Sequence, residues 1–148
     1  MALVHSKKVL ISATVLVILM RQMQAQEAKV KIHITVNEGK VLTATMADNQ
    51  TARDFLSLLP MTVKMDDLFG REKYGHLPKP LSNKSDRSDT YDIGQIAYWS
   101  PGPDISIYYR QDGDKIPSPG VIVVGSIDSG VEALHVPGSV NVKIELAR

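Results

Sequence analysis

Apolar and polar residues alternate over residues 29–36: Val30, Ile32, Ile34 and Val36 share one side, and Lys31, His33 and Thr35 the other. A period of two matches an extended chain, so this segment is predicted as a half-buried strand. Asn37-Glu38-Gly39-Lys40 supplies turn chemistry, with Gly39 expected to take positive φ, and residues 41–46 return as the second strand of a hairpin. The period then changes. Ala52, Phe55, Leu56 and Leu59 recur at helical spacing, which predicts a helix over residues 49–59, with Thr51 and Asp54 as a capping box and Pro60 as its stop.

Residues 61–65 read as a short strand, and 66–91 as a polar, turn-rich loop without periodicity. Residues 95–99 and 104–109 read as strands around Pro101-Gly102-Pro103, with Ile105, Ile107 and Tyr109 on one face of the second. Residues 121–127 are almost continuously apolar, which fits a strand buried on both faces. Residues 140–146 alternate again, with Val140, Val142, Ile144 and Leu146 inward. Many short strands, Gly/Pro turns and one substantial helix predict a mainly β fold, a closed barrel sealed by pairing of its two alternating terminal strands.

The first segment has a different pattern. Lys7 and Lys8 precede an apolar run from Val9 to Met20, then a polar stretch with small residues. That order is the layout of a secretory signal peptide, and its apolar run is well short of the roughly 20 residues that span a bilayer. A cut after Ala25 divides the chain into a signal peptide, 1–25, and a single domain, 26–148; a cut after Ala28 is the alternative. The expected address is exported, periplasmic or secreted, with no stable membrane span after cleavage.

Charge follows from this division. Three of the seventeen basic residues (Lys7, Lys8 and Arg21) precede Glu27, leaving fourteen basic against sixteen acidic residues. No basic block remains to track phosphates, so nucleic acid is not an expected partner. The absence of cysteine excludes disulfides, thiol catalysis, thiolate metal sites and a lipidated cysteine anchor.

Four stretches occur in order: NQTARDFLSLLP followed by MTVKMDD, EKYGHLPKPL, GQIAYWSPGPDISIYYR and VIVVGSIDSGVEAL. Together they make the chain resemble the bacterial cyclophilin-like domain family over residues 29–147. The resemblance implies a closed cyclophilin-like barrel of eight strands with one or two helices, and it implies no established reaction. Cyclophilins proper isomerise peptidyl-prolyl bonds with an Arg in a Phe-His-Arg strand motif beside an apolar proline pocket. No Phe-His-Arg occurs here, and Arg53, Arg71, Arg87 and Arg110 lie in other contexts, so no catalytic residue is carried over.

Five of the eight aromatic residues fall within residues 91–110. Alternation puts Tyr98 and Trp99 on opposite faces, and Tyr108 and Tyr109 likewise, so one of each pair is expected outside. The stretch reads chiefly as a core hairpin, and its outward aromatics are candidates for a ligand patch. Arg110, next to Tyr109, is the arginine expected nearest an aromatic wall. Tyr98, Trp99, Tyr108 and Arg110 are therefore the candidate ligand-binding residues. His33, His76 and His135 lack metal-ligand spacing, Asp112-Gly113-Asp114 reads as a turn, and no phosphate, dinucleotide or serine-nucleophile motif occurs. No metal or cofactor is expected. The expected role is non-enzymatic binding of a peptide segment or small ligand. The alternatives are a divergent prolyl isomerase and an accessory module docking on another protein.

Overall fold

The computed structural model describes Ile18 and residues 28–148. Ile18 apart, the expected signal peptide lies outside the described residues. The strands are β1 (Lys31–Val36), β2 (Lys40–Met46), β3 (Met61–Leu68), β4 (Glu72–His76), β5 (Gln95–Trp99), β6 (Asp104–Tyr108), β7 (Ile122–Ser129) and β8 (Val140–Leu146). A helix, α1 (Gln50–Leu56), follows β2, and one turn of 3-10 helix (Val131–Leu134) follows β7. The strands close a barrel in the order β1-β2-β7-β5-β6-β4-β3-β8, antiparallel at every seam. The two alternating segments at the ends of the domain pair as their pattern predicts, with Ile34 opposite Ile144. Closure removes the exposed edge that an open sheet would carry.

Several local expectations give way to tertiary partners. The left-handed residues of the first hairpin are Asn37 (φ 48°) and Glu38 (φ 57°), not Gly39. Asn37 is held there by β8: its Oδ1 accepts from Asn141 N–H at 2.9 Å, and its own N–H donates to Asn141 O at 2.8 Å. The helix ends at Leu56, short of Leu59, and its cap is Asn49, whose Oδ1 accepts from Ala52 N–H at 2.8 Å. Thr51 and Asp54 are engaged elsewhere: Thr51 donates to Ser82 O at 2.7 Å and Asp54 accepts from Ser82 N–H at 2.8 Å. The expected capping box instead docks the chain that follows β4. That strand itself lies inside the segment read as loop. Its sequence, EKYGH, carries charges on both faces and has no apolar alternation.

The barrel interior is filled by alternate residues such as Ile32, Ile34, Leu42, Ile105, Ile107 and Ile144, with Ala52 and Phe55 of α1 in the same cluster. Burial of each such aliphatic contributes roughly 1.5–3 kcal/mol. A second apolar cluster forms outside the sheet from Tyr91, Ala97, Tyr108, Ile116 and Val121, with Trp99 packed against it. Residues 86–94 and 110–121 cover this outer face, tied together by a Ser88–Val121 bridge and by Ile116 N–H on Asp89 O at 2.8 Å. The cover explains a correction: Tyr108 and Tyr109 are both buried, one on each side of the sheet, whereas alternation alone puts one of them outside.

Candidate functional site

A cavity of about 300 Å³ opens between the outer face of β4 and β6, the β3–β4 turn and the covering segment. Strand register assembles its floor. Glu72 lies opposite Tyr108 and Tyr74 opposite Ser106, so alternate residues of two strands point the same way. Asp104 sits opposite Trp99 on β5 and extends this surface. Phe69, Tyr74, Trp99 and Tyr108 give the cavity aromatic walls, and Arg71, Glu72 and Asp104 give it charge.

Most of these charges are held in a connected network. Glu72 accepts from Ser106 Oγ at 3.0 Å and from Arg71 Nε at 3.0 Å. Arg71 reaches Asp112 at 3.3 Å, and Asp112 accepts from the Tyr91 hydroxyl at 2.8 Å. Tyr91 stacks on Tyr108 with ring centroids 4.1 Å apart. Burial pushes the Glu72 carboxyl above the usual carboxylate range, and the bonds from Arg71 and Ser106 offset only part of that rise. Burial likewise raises the Tyr108 phenol. Asp112 is held below its ordinary value, first by Asp114 N–H and then by Tyr91 and Arg71, against the opposing effect of burial.

Asp104 differs. It is 9% exposed, and its Oδ1 is buried. His76 Nδ1 lies 2.6 Å from that oxygen, within hydrogen-bond distance, and the two form an ion pair when the ring is protonated. The contact is therefore a conditional charge pair from a side chain that is 76% exposed. Phe69 is the other irregular element. It takes φ 57°, a left-handed conformation that costs a bulky residue energy, and it is 75% exposed. Its ring borders the cavity and lies 5.2 Å from the Arg71 guanidinium.

A second, more open cavity of about 450 Å³ is lined by Asp67, Tyr109, Arg110 and His135. Beside it, Lys73 is wholly buried and donates to Asp67 Oδ2 (2.7 Å), Val136 O (2.6 Å) and Gly138 O (2.7 Å). Tyr109 Oη donates to the same Asp67 oxygen at 2.6 Å. Burial, reinforced by that bond to Asp67, raises the Tyr109 phenol to about 12. His135 Nε2 donates to Tyr109 O at 3.0 Å.

The structure brings Trp99 and Tyr108 to the outer cavity and separates the other two candidates from it. Tyr98 faces the barrel interior at 1% exposure, where its Oη accepts from Leu81 N–H at 3.1 Å. Arg110 borders the second cavity, its guanidinium 5.7 Å from the Tyr109 ring. The arginine beside the outer aromatic wall is Arg71. Sequence reasoning missed Arg71, Glu72, Asp104 and Phe69. For residues 69–72 the available signal was a cluster of charge and aromatics, FGREKY; Asp104 has no such local signal.

The sequence matches the Cyclophilin-like family over residues 34–145, from within β1 to within β8. The solution structure of the hypothetical protein AF2241 from Archaeoglobus fulgidus is similar, with a TM-score of 0.67 at 21% identity, covering 83% of this chain and 98% of that one. At that identity the likeness shows the fold alone. No curated protein matches the sequence. Because the family match takes in most of the chain, the chain belongs to the Cyclophilin-like family.

Proposed function

We propose that this barrel is a binding domain that takes a small ligand or a side chain of a peptide segment in its outer cavity, and that it works in the envelope or outside the cell. The observation that carries the reading is the cavity itself: about 300 Å³, walled by four aromatic residues and floored by buried polar groups. That volume is at the lower end of ligand pockets, which run roughly 300–1,000 Å³ and combine apolar walls with a few fixed polar groups. Export rests on the basic, apolar and small-residue order of residues 1–25. The chain has a single tryptophan, Trp99, at the cavity wall, so intrinsic fluorescence reports on this site without labelling. Titration with short peptides and small aromatic compounds should give saturable changes in Trp99 emission. A flat response across such a set, with no shift of Tyr74 or Tyr108 resonances, would remove the binding reading.

A second reading is favoured by one specific observation, an arginine beside an apolar cavity. Prolyl isomerisation has a barrier of about 18–20 kcal/mol, and a guanidinium can stabilise the twisted amide. Arg71 is the group in reach. Its Nε is bonded to Glu72 and its Nη1 faces Asp112, which leaves it poorly placed to serve a substrate and ranks this reading second. An isomerisation assay on proline peptides decides. Catalysis lost in Arg71→Lys would establish an isomerase at the outer cavity, and catalysis lost only in Arg110→Ala would move it to the second cavity.

A further inference from the structure

We infer that the occupant of the outer cavity presents a neutral carbonyl oxygen, of an amide or a ketone, and that the Tyr108 hydroxyl is the donor that binds it. The inference rests on the binding reading above and names the chemical class that the cavity selects.

The argument starts from the buried phenols. Tyr91, Tyr98, Tyr108 and Tyr109 are all buried, and a buried tyrosine hydroxyl normally has a hydrogen-bond partner. Three of the four find theirs within the fold. Tyr91 donates to Asp112 at 2.8 Å, Tyr109 donates to Asp67 at 2.6 Å, and Tyr98 accepts from Leu81 N–H at 3.1 Å. Tyr108 differs: among the described residues its hydroxyl makes no hydrogen bond. Its oxygen is not sealed inside the fold, and the residue lines the outer cavity, so the hydroxyl opens there.

Rotation of the ring does not supply a partner. Tyr108 stacks on Tyr91 with centroids 4.1 Å apart, and Tyr91 is tethered by its own bond to Asp112. The side chain opposite Tyr108 on β4 is Glu72, whose two oxygens are taken by Ser106 and Arg71. Burial, and then the charge of Glu72, raise the phenol, so Tyr108 stays protonated and enters a complex as a donor.

Charge selects a neutral acceptor. Arg71 is engaged by Glu72 and Asp112, which leaves no cation at the cavity for a carboxylate or phosphate. The carboxylates that line the cavity are engaged too: Glu72 has Arg71 and Ser106, and Asp104 has the His76 ring 2.6 Å away. An ammonium therefore finds no free anion. A neutral carbonyl needs neither sign of charge. Its oxygen accepts from Tyr108, and its carbon skeleton lies against Phe69, Tyr74 and Trp99.

The experiment compares matched probes by Trp99 fluorescence and NMR shifts at neutral pH. Benzylacetone, phenethylamine and hydrocinnamate share a phenethyl tail and present a ketone, a cation and an anion. The ketone should bind tightest and the acid weakest. Tyr108→Phe keeps the ring and removes only the hydroxyl. It should weaken the ketone about three- to tenfold, the strength of one neutral hydrogen bond, and leave the amine unchanged. If Tyr108→Phe does not fold, the ranking of the three probes on the unaltered protein still decides. A doubly capped phenylalanine amide separates two sources: tighter binding than benzylacetone assigns the carbonyl to a peptide segment, looser binding to a free small molecule, and either supports the inference. A ketone that binds no tighter than the amine or the acid, or that is no more affected by Tyr108→Phe than the amine is, overturns the carbonyl class while the cavity reading stands. No binding by any probe overturns both.

Discussion

Lys73 and Asp104 both lie on the strand pair β4–β6, and both are charged side chains shut off from solvent, but they serve different regions of the molecule. Lys73 closes the inner side near one end of the barrel. Its three donors meet three acceptors, one from β3 and two from the 136–138 turn, so its charge and its hydrogen-bonding capacity are spent inside the fold. Asp104 is on the outer side, and the close partner of its buried Oδ1 is the largely exposed His76 ring, 2.6 Å away. The contrast teaches that burial of a charge does not by itself indicate a site. A complete set of internal partners marks a structural device, and a set that relies on one exposed ring calls for a separate explanation.

This distinction is open to measurement. The largest effect is expected for Lys73→Ala, which leaves Asp67 and two carbonyls unpaired and should cost about 3–5 kcal/mol in denaturant melts. A loss below about 1 kcal/mol would mean that water replaces the ammonium freely and that the end of the barrel is not closed as described.

The acid limb of stability comes next. Burial raises the Asp67 carboxyl, but the bonds from Lys73 and Tyr109 outweigh it, so the folded value lies below the ordinary 3.8. A depressed folded value means that Asp67 stabilises the protein above the unfolded value, and that this contribution fades as pH falls from about 3.8 through the folded value. Tm measured from pH 6 downward should fall less steeply in Asp67→Asn than in the unaltered protein. Parallel acid limbs would remove Asp67 from the account.

Asp104→Asn should change stability by about 1 kcal/mol or less, measured at pH 8, because its close partner is the largely exposed His76 ring. A cost matching that of Lys73→Ala would erase the comparison and make Asp104 structural. The smallest stability effect is expected for Phe69→Gly. Glycine takes φ 57° without strain and the ring is mostly exposed, so the change should lie within about 0.5–1 kcal/mol of zero. The same variant should weaken binding at the outer cavity, where the ring forms part of the wall. Unaltered binding would restrict the wall to Tyr74, Trp99 and Tyr108.

The comparison also marks what the sequence can convey. β1, β8 and the β5–β6 hairpin are legible because each has an apolar face against the interior, and the periodicity records that single fact. β4 is illegible for the opposite reason. Glu72 and Lys73 are buried on opposite sides of one strand, and their partners come from residues 67, 71, 106, 136 and 138, which no local window contains. The covering segment is hidden in the same way. Ile116 stands alone among DGDK and PSPG, yet it completes the outer apolar cluster and makes Tyr108 a buried residue. Aromatics at 99 and 108 point to a surface; the charges that give that surface its selectivity depend on pairings between distant strands.

The strand order has a practical consequence for handling the molecule. Counting round the closed barrel, β6 stands four places from β1 in either direction, and β8 is the neighbour of β1. Ala147 N–H donates to Lys31 O at 3.0 Å, so both ends of the barrel leave it side by side. A tag, tether or fused partner attached before β1 or after β8 therefore emerges on the far wall from Asp104, Ser106 and Tyr108. The protein can be anchored to a surface by either end with its outer cavity turned toward solution.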